Sequence, residues 1–382
     1  MIDPKSHDRL RKEISARLVE DKSILDLLRR EISIIKSDVH PIKSQSSASI
    51  ALVAADGGNN SLKFDPFMVQ LVRVVDSSNN EYCLEAITPT TDVIALSRSQ
   101  FKKDGTPRTA LGTMMQFLNT PTLPDLSYMI KSPASNEPVS TSWIKAYREL
   151  VEWAILFNIV RTKDFATDTL LIFDGLLRSK VFSSDNFIKL KEGFAEAIEH
   201  QRVKHRRNIY LAGIAKHSKV IERYRLAMHL ESILTCDYPA YVEIPREIEE
   251  KAYKWSEYAR GDDNVVEGEV NRFVAGKMFF VKFGTSLRDP IWPIDIFTSQ
   301  LSQAPTILGC MLEDAKNGFP VPHYPRCLQR AHDNAALVDF DTHILQDEIL
   351  NALRLALGDS WTVLDSFLIQ DHDPARARYR KA

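Results

Sequence analysis

Two aspartates come directly after runs of apolar, β-forming residues, and each is followed by glycine. Asp56 stands in the stretch IALVAADGG and Asp174 in the stretch TLLIFDGLL. A buried strand that leads into an acid fixes a carboxylate at a sheet edge, and the adjacent glycine leaves room for a cation or phosphate beside the main chain. A single Asp-Gly pair is common in ordinary turns. Two of them after strongly apolar strands favour a site built from paired carboxylates.

Paired carboxylates near the centre of a sheet are suitable ligands for Mg²⁺ or Mn²⁺. Two such ions about 3.5–4 Å apart can activate water and stabilise the leaving oxygen when a phosphodiester is cleaved. This arrangement would let the chain act on a polyanion although 49 Lys+Arg and 51 Asp+Glu give it a net charge of -2. The near balance of charge argues against a protein that holds nucleic acid by bulk positive charge alone.

A phenol and an imidazole stand eight residues apart in the segment YPRCLQRAH, at Tyr324 and His332. Pro325 suits the first position of a helix, so Tyr324 is expected just outside that helix and His332 about two turns along it. Taken alone, His332 is more often a helix-surface or core histidine, and Tyr324 a packing aromatic. Neither residue identifies a site by itself.

Two groups of basic residues are candidates for phosphate contacts. Lys216 in LAGIAKHSK follows a predicted strand, where it could contact a phosphate, although a solvated loop lysine explains it equally well. Arg206 and Arg207 end the basic run RVKHRR, which could line a path for DNA. A solvated helix end, with cations favoured by the helix dipole, accounts for that run equally well.

The elements that must position these residues begin with strands and continue with strands and helices in alternation. Three early strands read as an antiparallel meander, and a strong helix then precedes the strand that ends at Asp174. This order indicates a mixed sheet with helices on its faces. The predicted strands are 50–54, 67–75, 82–87, 169–173, 208–214 and 272–283, and the predicted helices are 109–118, 142–161, 184–206, 220–234, 299–317, 325–337 and 342–357.

The first part of the chain, Lys5–Ile35, has apolar residues at roughly helical spacing and is predicted to form one long helix. Such a helix either packs on its own domain or serves as an interaction arm, since about thirty residues exceed the usual globular length. The first twenty residues contain no apolar signal segment, and no apolar run approaches the roughly 18–20 residues of a membrane span. Four widely spaced cysteines predict reduced thiols, so we expect a soluble, cytoplasmic protein.

Taken together, the blocks ALVAADGG, LLIFDGLL, LAGIAKHSK and YPRCLQRAH resemble the NurA nuclease family. They occur in the family's order and span Ala51 to His332, and the last block fits the family pattern Tyr-Pro-x-x-Leu-x-x-Ala-His without a gap. Leu176 stands where a small residue is usual, and the run Phe319–His323 before the Tyr-Pro block is unusual. The eight-residue step to His332 favours Tyr324 over Phe319 as the matching aromatic.

The resemblance implies an RNase H-like mixed sheet flanked by helices and a DNA nuclease that depends on Mn²⁺ or Mg²⁺, with two ions. By position, Asp56, Asp174 and His332 would be metal ligands, and Tyr324 would complete the site. The family also uses a glutamate on the helix before the second aspartate strand. Glu149 and Glu152 are both available there, and Glu152 is favoured because it shares a face with Arg148 rather than with the apolar stripe.

The same resemblance implies 5′-to-3′ exonuclease or single-strand endonuclease activity, a homodimer, and a HerA-type hexameric translocase as partner, in DNA repair or in defence against phage. The expected organisation is a helical arm at 1–45, a nuclease domain at 46–360 and a polar, basic tail at 361–382. An alternative is a scaffold or regulatory subunit of a HerA-type complex with little nuclease activity of its own.

Overall fold

The computed structural model describes residues 3–46, 48–54, 61–64, 67–131, 142–253, 272–336 and 339–358. Asp56 and the tail at 361–382 lie outside these ranges, so the expectations about them stay predictions. No helix in the described ranges is long and apolar enough to cross a membrane. All four cysteines are free thiols, as the sequence predicts.

One mixed sheet runs through the described part of the chain, with helices on both faces. Its strands are β1 (His40–Pro41), β2 (Ala48–Ala54), β3 (Ser61–Phe64), β4 (Phe67–Asp76), β5 (Glu81–Ile87), β6 (Thr169–Asp174), β7 (Ile209–Ile214), β8 (Ala240–Glu243), β9 (Gly276–Lys282) and β10 (Ile291–Phe297). The helices are α1 (Pro4–Glu20), α2 (Lys22–Ile32), α3 (Val93–Ser99), α4 (Ala110–Leu118), α5 (Leu123–Leu126), α6 (Ser142–Thr162), α7 (Asn186–Lys204), α8 (Lys219–Leu230), α9 (Arg246–Ala252), α10 (Ala304–Ala315), α11 (Arg326–Ala335) and α12 (Asp339–Leu357).

Five strands of this sheet have the RNase H-like order. β5 pairs with β4, β4 with β2, β2 with β6, and β6 with β7. β4 is antiparallel to both of its neighbours in this series, whereas β2, β6 and β7 are parallel. In chain order the five strands therefore lie third, second, first, fourth and fifth. The predicted fold class, an RNase H-like mixed sheet flanked by helices, is confirmed.

Beyond β7 the sheet continues through β10, β9, β8 and β1, all antiparallel to their neighbours. The strand β10, whose sequence is IWPIDIF, is not among the strands predicted from the sequence. Pro293 cannot donate to a strand ladder, so its presence argues against a central strand. The structure accommodates it because the pairing of β10 with β7 covers only Ile294–Ile296, beyond the proline.

The side chains of β6 alternate between two apolar cores, as the two-residue period of a strand requires. Leu171 and Phe173 pack in the core that contains α4, α6 and α7. Leu170 and Ile172 pack in the core that contains α10 and α11. Continuing the alternation, Asp174 belongs to the α11 side of the sheet, at its carboxyl end.

The N-terminal segment forms two helices rather than the single one predicted. α1 and α2 meet at Asp21, a residue type that favours turns and caps over helix interiors. α2 packs against α8, and Ile32 is buried in the core that these helices share. On α1, Leu10, Ile14 and Leu18 are 43%, 49% and 64% exposed. The structure thus packs α2 on the domain and leaves apolar side chains of α1 in solvent.

A buried ion network fixes the loop that follows Asp174. The Arg178 guanidinium donates to both carboxylate oxygens of Asp295 on β10, each at 2.8 Å. Its third nitrogen lies 2.6 Å from Glu249 on α9, and all three side chains are fully buried. Arg246 lies 3.2 Å from Glu249, so two acids balance two arginines.

Close backbone packing holds the start of the same loop. Gly175 has a φ of +138°, a conformation that residues with a side chain rarely adopt. Its amide donates to the Ile214 carbonyl on β7 at 2.8 Å. A Cβ atom at Gly213 would lie 2.3 Å from the Gly175 carbonyl oxygen, so the loop can approach β7 this closely only because residue 213 is a glycine.

We expect Arg178→Met to lower the free energy of unfolding by about 3–5 kcal/mol, because it leaves a buried acid without its partner. Urea unfolding followed by circular dichroism measures the change. Arg202→Met is the matched control: Arg202 pairs with Glu199 on the exposed surface of α7, so its loss should leave stability nearly unchanged. Equal effects of the two substitutions would contradict the structural role of the buried network.

Candidate functional site

Four of the residues singled out by sequence come together where β6 and β7 end. The Nε2 atom of His332 lies 3.2 Å from Oδ2 of Asp174 and 2.8 Å from Nζ of Lys216. The same Nζ lies 5.9 Å from the centre of the Tyr324 ring. An acid, an imidazole, a phenol and an ammonium group therefore form one cluster, hereafter the Asp174 cluster.

The fold brings these side chains to one edge of the sheet from three separate parts of the chain. Asp174 is the last residue of β6, and Lys216 follows β7, which is parallel to β6. Tyr324 immediately precedes the Pro325 cap of α11, which carries His332. Parallel strands place their carboxyl ends at the same edge, where ligands bind in open α/β sheets.

Three contacts hold α11 over this edge. Trp292 of β10 packs against the Tyr324 ring at 4.8 Å between centroids and donates its indole N–H to the His323 carbonyl at 2.7 Å. At the other end of α11, the Asn334 side chain donates to the Asp76 carbonyl at 3.1 Å. The helix is thus anchored on β10 at its start and on the end of β4 near its finish.

The contact between Lys216 and His332 is the basis for assigning the tautomer of the imidazole. A lysine ammonium only donates hydrogen bonds, so Nε2 of His332 accepts, and the ring proton of the neutral imidazole lies on Nδ1. Nε2 then has no proton to donate to Asp174. In this tautomer the 3.2 Å contact between Nε2 and the Asp174 carboxylate is not a hydrogen bond.

The Tyr324 phenol is held in its protonated form. Burial, and then the negative charge of Asp174, raises the pKa of Tyr324 well above its ordinary value of 10.0. A hydrogen bond towards the Asp174 carboxylate adds to this shift, although within the described residues the two groups miss ordinary hydrogen-bond geometry. It is consequently a proton donor that a bound ligand could use.

The two candidate helix acids have different surroundings. Glu149 accepts a hydrogen bond at 2.6 Å from the Ser179 hydroxyl, on the loop that follows Asp174. Glu152 lies 3.6 Å from Arg148 on its own helix, in agreement with the shared face expected from sequence. Both acids are on α6, which packs on the opposite face of the sheet from α11. The assignment of Glu152 as a metal ligand stays a prediction, and Glu149 is the acid connected to the Asp174 loop.

Arg206 and Arg207 lie at the other end of β7 from Lys216, because they precede the strand and Lys216 follows it. Six strand residues separate the two ends, a distance of about 20 Å. The Arg207 side chain donates to the Phe165 carbonyl at 3.1 Å, whereas Arg206 is exposed. These arginines do not belong to the Asp174 cluster, and their contact with DNA stays a prediction.

The donor atoms of the Asp174 cluster suit a divalent cation. A carboxylate oxygen and a neutral imidazole nitrogen face each other at 3.2 Å, and an ammonium group already lies against the nitrogen. The imidazole favours Mn²⁺ over Mg²⁺, which is usually held through oxygen. Within the residues that the structure describes, no group of three or more His, Cys, Asp and Glu side chains is arranged to hold a metal. Asp56, the further ligand implied by sequence, follows β2, which runs parallel to β6 and ends at Ala54.

The residues that hold the cluster in place were not predicted from the sequence. Asp295 had a visible signal, since an acid within the apolar strand IWPIDIF must find a partner. Arg178, Glu249 and Ser179 gave no comparable signal, because their environment is created by segments that are distant in sequence.

The strand order and the cluster define an RNase H-like α/β protein with an acid, histidine, tyrosine and lysine at the carboxyl edge of its sheet. No protein-family profile matches the sequence. No curated protein matches it either. The structure is similar to the crystal structure of the NurA nuclease from Sulfolobus solfataricus, with a TM-score of 0.45 and 12% identity. That similarity covers 94% of this chain and 99% of the other.

We expect the stability of Glu149→Gln, relative to the wild type, to increase as the pH rises. Burial raises the pKa of Glu149 in the folded protein above its ordinary value of 4.5, although Ser179 opposes the shift. The ionised carboxylate is therefore costly in the folded state: the cost is absent below pH 4.5 and appears as the pH rises through the raised pKa. Urea unfolding at several pH values between 4.5 and 8 measures it.

Glu199→Gln is the control for this prediction. Glu199 is exposed, and the hydrogen bond from Arg202 lowers its pKa, so this variant should not gain stability over the wild type as the pH rises. A Glu149→Gln stability difference that stays constant with pH would contradict the prediction.

Proposed function

We propose that this protein is a divalent-metal-dependent nuclease that hydrolyses phosphodiester bonds of DNA at the Asp174 cluster. The observation that carries the proposal is the position of Asp174, His332, Tyr324 and Lys216 together at the carboxyl edge of an RNase H-like sheet. These groups combine cation-binding donors with a positive charge and a protonated phenol. Phosphodiester hydrolysis requires groups of these kinds, since charge develops on the phosphate oxygens in the reaction.

Each residue of the cluster has a distinct part in this proposal. Asp174 and His332 would hold the cation, and Asp56, which follows β2 in the sequence, would be a further carboxylate ligand. Lys216 attracts the phosphate, and the Tyr324 hydroxyl donates a hydrogen bond to one of its oxygens. A bound divalent cation would lower the pKa of water and neutralise phosphate charge.

The loop that follows Asp174 is held in place by contacts with three other elements. The loop after Asp174 is fixed to β10 and α9 through Arg178, and its Ser179 reaches Glu149 on α6. A second ion, if the site binds one, would use Asp56 together with Glu149 or Glu152. The polarity of cleavage depends on which end of a DNA strand reaches this edge of the sheet. Both 5′-to-3′ exonuclease and single-strand endonuclease activity are consistent with the cluster.

We expect Asp174→Asn to reduce Mn²⁺-dependent degradation of linear DNA by at least about a hundredfold, because the amide is a weaker cation ligand than the carboxylate. The measurement uses 5′- and 3′-labelled single-stranded and duplex DNA. Asp164→Asn serves as control: Asp164 is exposed and lies before β6, at the opposite end of the strand. The wild-type rate in Asp174→Asn, with the fold intact by circular dichroism, would overturn the assignment.

We propose further that the chain acts as a homodimer together with a HerA-type hexameric translocase. The resemblance of the four sequence blocks implies both partners, and the exposed apolar side chains of α1 offer surface for an assembly. Light scattering should give twice the mass of the chain. Addition of the translocase with ATP should increase the rate of DNA degradation. A monomer at micromolar concentration, or a rate that the translocase leaves unchanged, would contradict the corresponding proposal.

A further inference from the structure

The ammonium group of Lys216 uses the only lone pair through which His332 Nε2 could bind a cation. An imidazole nitrogen has one lone pair, directed away from the ring in its plane. In the structure the Lys216 Nζ donates to that lone pair at 2.8 Å. A metal ion bound by Nε2 requires the same lone pair, so the ammonium group and the metal cannot occupy it together.

The position of Lys216 next to Asp174 supports the same conclusion. Nζ lies at most about 6 Å from Oδ2 of Asp174, because both atoms contact Nε2 of His332 at 2.8 and 3.2 Å. An acid and an imidazole that face one cation are the donor set of a metal site. Lys216 thus places a positive charge against His332 Nε2, the atom that a cation bound by both donors would also contact.

Lys216 is also free to leave this position. The residue is exposed, and its side chain is a flexible four-carbon chain. It follows β7 and precedes Ser218, the cap of α8, so its backbone is held at the edge of the site. Rotation of the side chain alone would carry Nζ away from His332 and keep it near the cluster.

We propose that Lys216 is an exchangeable internal cation, which occupies the Nε2 lone pair of His332 until a divalent ion displaces it and which then binds the substrate phosphate. This inference rests on the nuclease function proposed above and adds the order in which the cation and the DNA bind. Cation binding releases the ammonium group for DNA. By thermodynamic reciprocity, a bound phosphate that draws Lys216 away raises the affinity of the site for the cation.

The first test compares Mn²⁺ binding to the wild type, Lys216→Met and Lys219→Met, by calorimetry in the absence of DNA. We expect Lys216→Met to bind Mn²⁺ several-fold tighter, up to about thirtyfold, which is the effect of a unit charge about 4 Å from a divalent ion in bulk water. Lys219 pairs with the exposed Glu222, so Lys219→Met should bind like the wild type. Equal or weaker binding by Lys216→Met would overturn the exchange.

The second test measures the affinity for a fluorescent single-stranded oligonucleotide, in EDTA and in Ca²⁺, with electrophoresis to verify that the oligonucleotide stays intact. We expect Lys216→Met to bind almost as well as the wild type in EDTA, because Lys216 is then engaged with His332. In Ca²⁺ it should bind several-fold more weakly than the wild type. A loss of the same size in both buffers would show that Lys216 contacts DNA independently of the cation, and it would overturn the proposal.

These experiments separate the exchange from the proposed function. If the variants show the predicted binding but the wild type leaves DNA intact, the exchange holds and the nuclease proposal fails. If neither the wild type nor Lys216→Met binds Mn²⁺, both the metal-dependent function and the exchange are overturned.

Discussion

The buried guanidinium of Arg178 joins the loop after Asp174 to two distant elements, and the geometry of the site depends on this junction. Its carboxylate partners come from β10 and α9, more than 70 residues further along the chain. A buried charge without a partner costs several kcal/mol, so the loop is stable only where both acids meet it. The main-chain position of Gly175, and with it the direction of Asp174, follows from that constraint.

β10 contacts both the loop after Asp174 and the segment that begins α11. Asp295 binds Arg178 next to the loop, while Trp292, three residues earlier, packs against Tyr324 and binds the carbonyl before it. One strand therefore sets the position of the aspartate loop and of α11 together. Because these contacts are short and buried, the distance between Asp174 and His332 is determined by packing rather than by surface charge.

The net charge of -2 is compatible with a site for a polyanion. The acids in and behind the site are balanced locally: Asp295 and Glu249 by arginines, and the Asp174–His332 pair by Lys216. Such local compensation means that a phosphate at the cluster would meet the positive charge of Lys216, whatever the sign of the whole chain. A partner that holds the DNA would account for the absence of a large positive balance.

Local sequence determined much of this protein. The continuous apolar run Thr169–Phe173 and the helical periodicity before it predicted β6 and α6 to within a residue or two. Three of the four sequence blocks also pointed to Asp174, Lys216, Tyr324 and His332. Strands and helices are readable in this way because their periodicity depends on neighbouring residues.

Tertiary structure alone decided what these residues contact. It made IWPIDIF an interior strand despite its proline and connected Glu149 to the Asp174 loop. It also placed Arg206 and Arg207 at the far end of β7. Such outcomes depend on contacts between segments that are far apart in the chain. The energies of these contacts come from burial and charge compensation. The sequence therefore determined which groups the site contains, and the packing of β6, β7, β10 and α11 decided which of them meet.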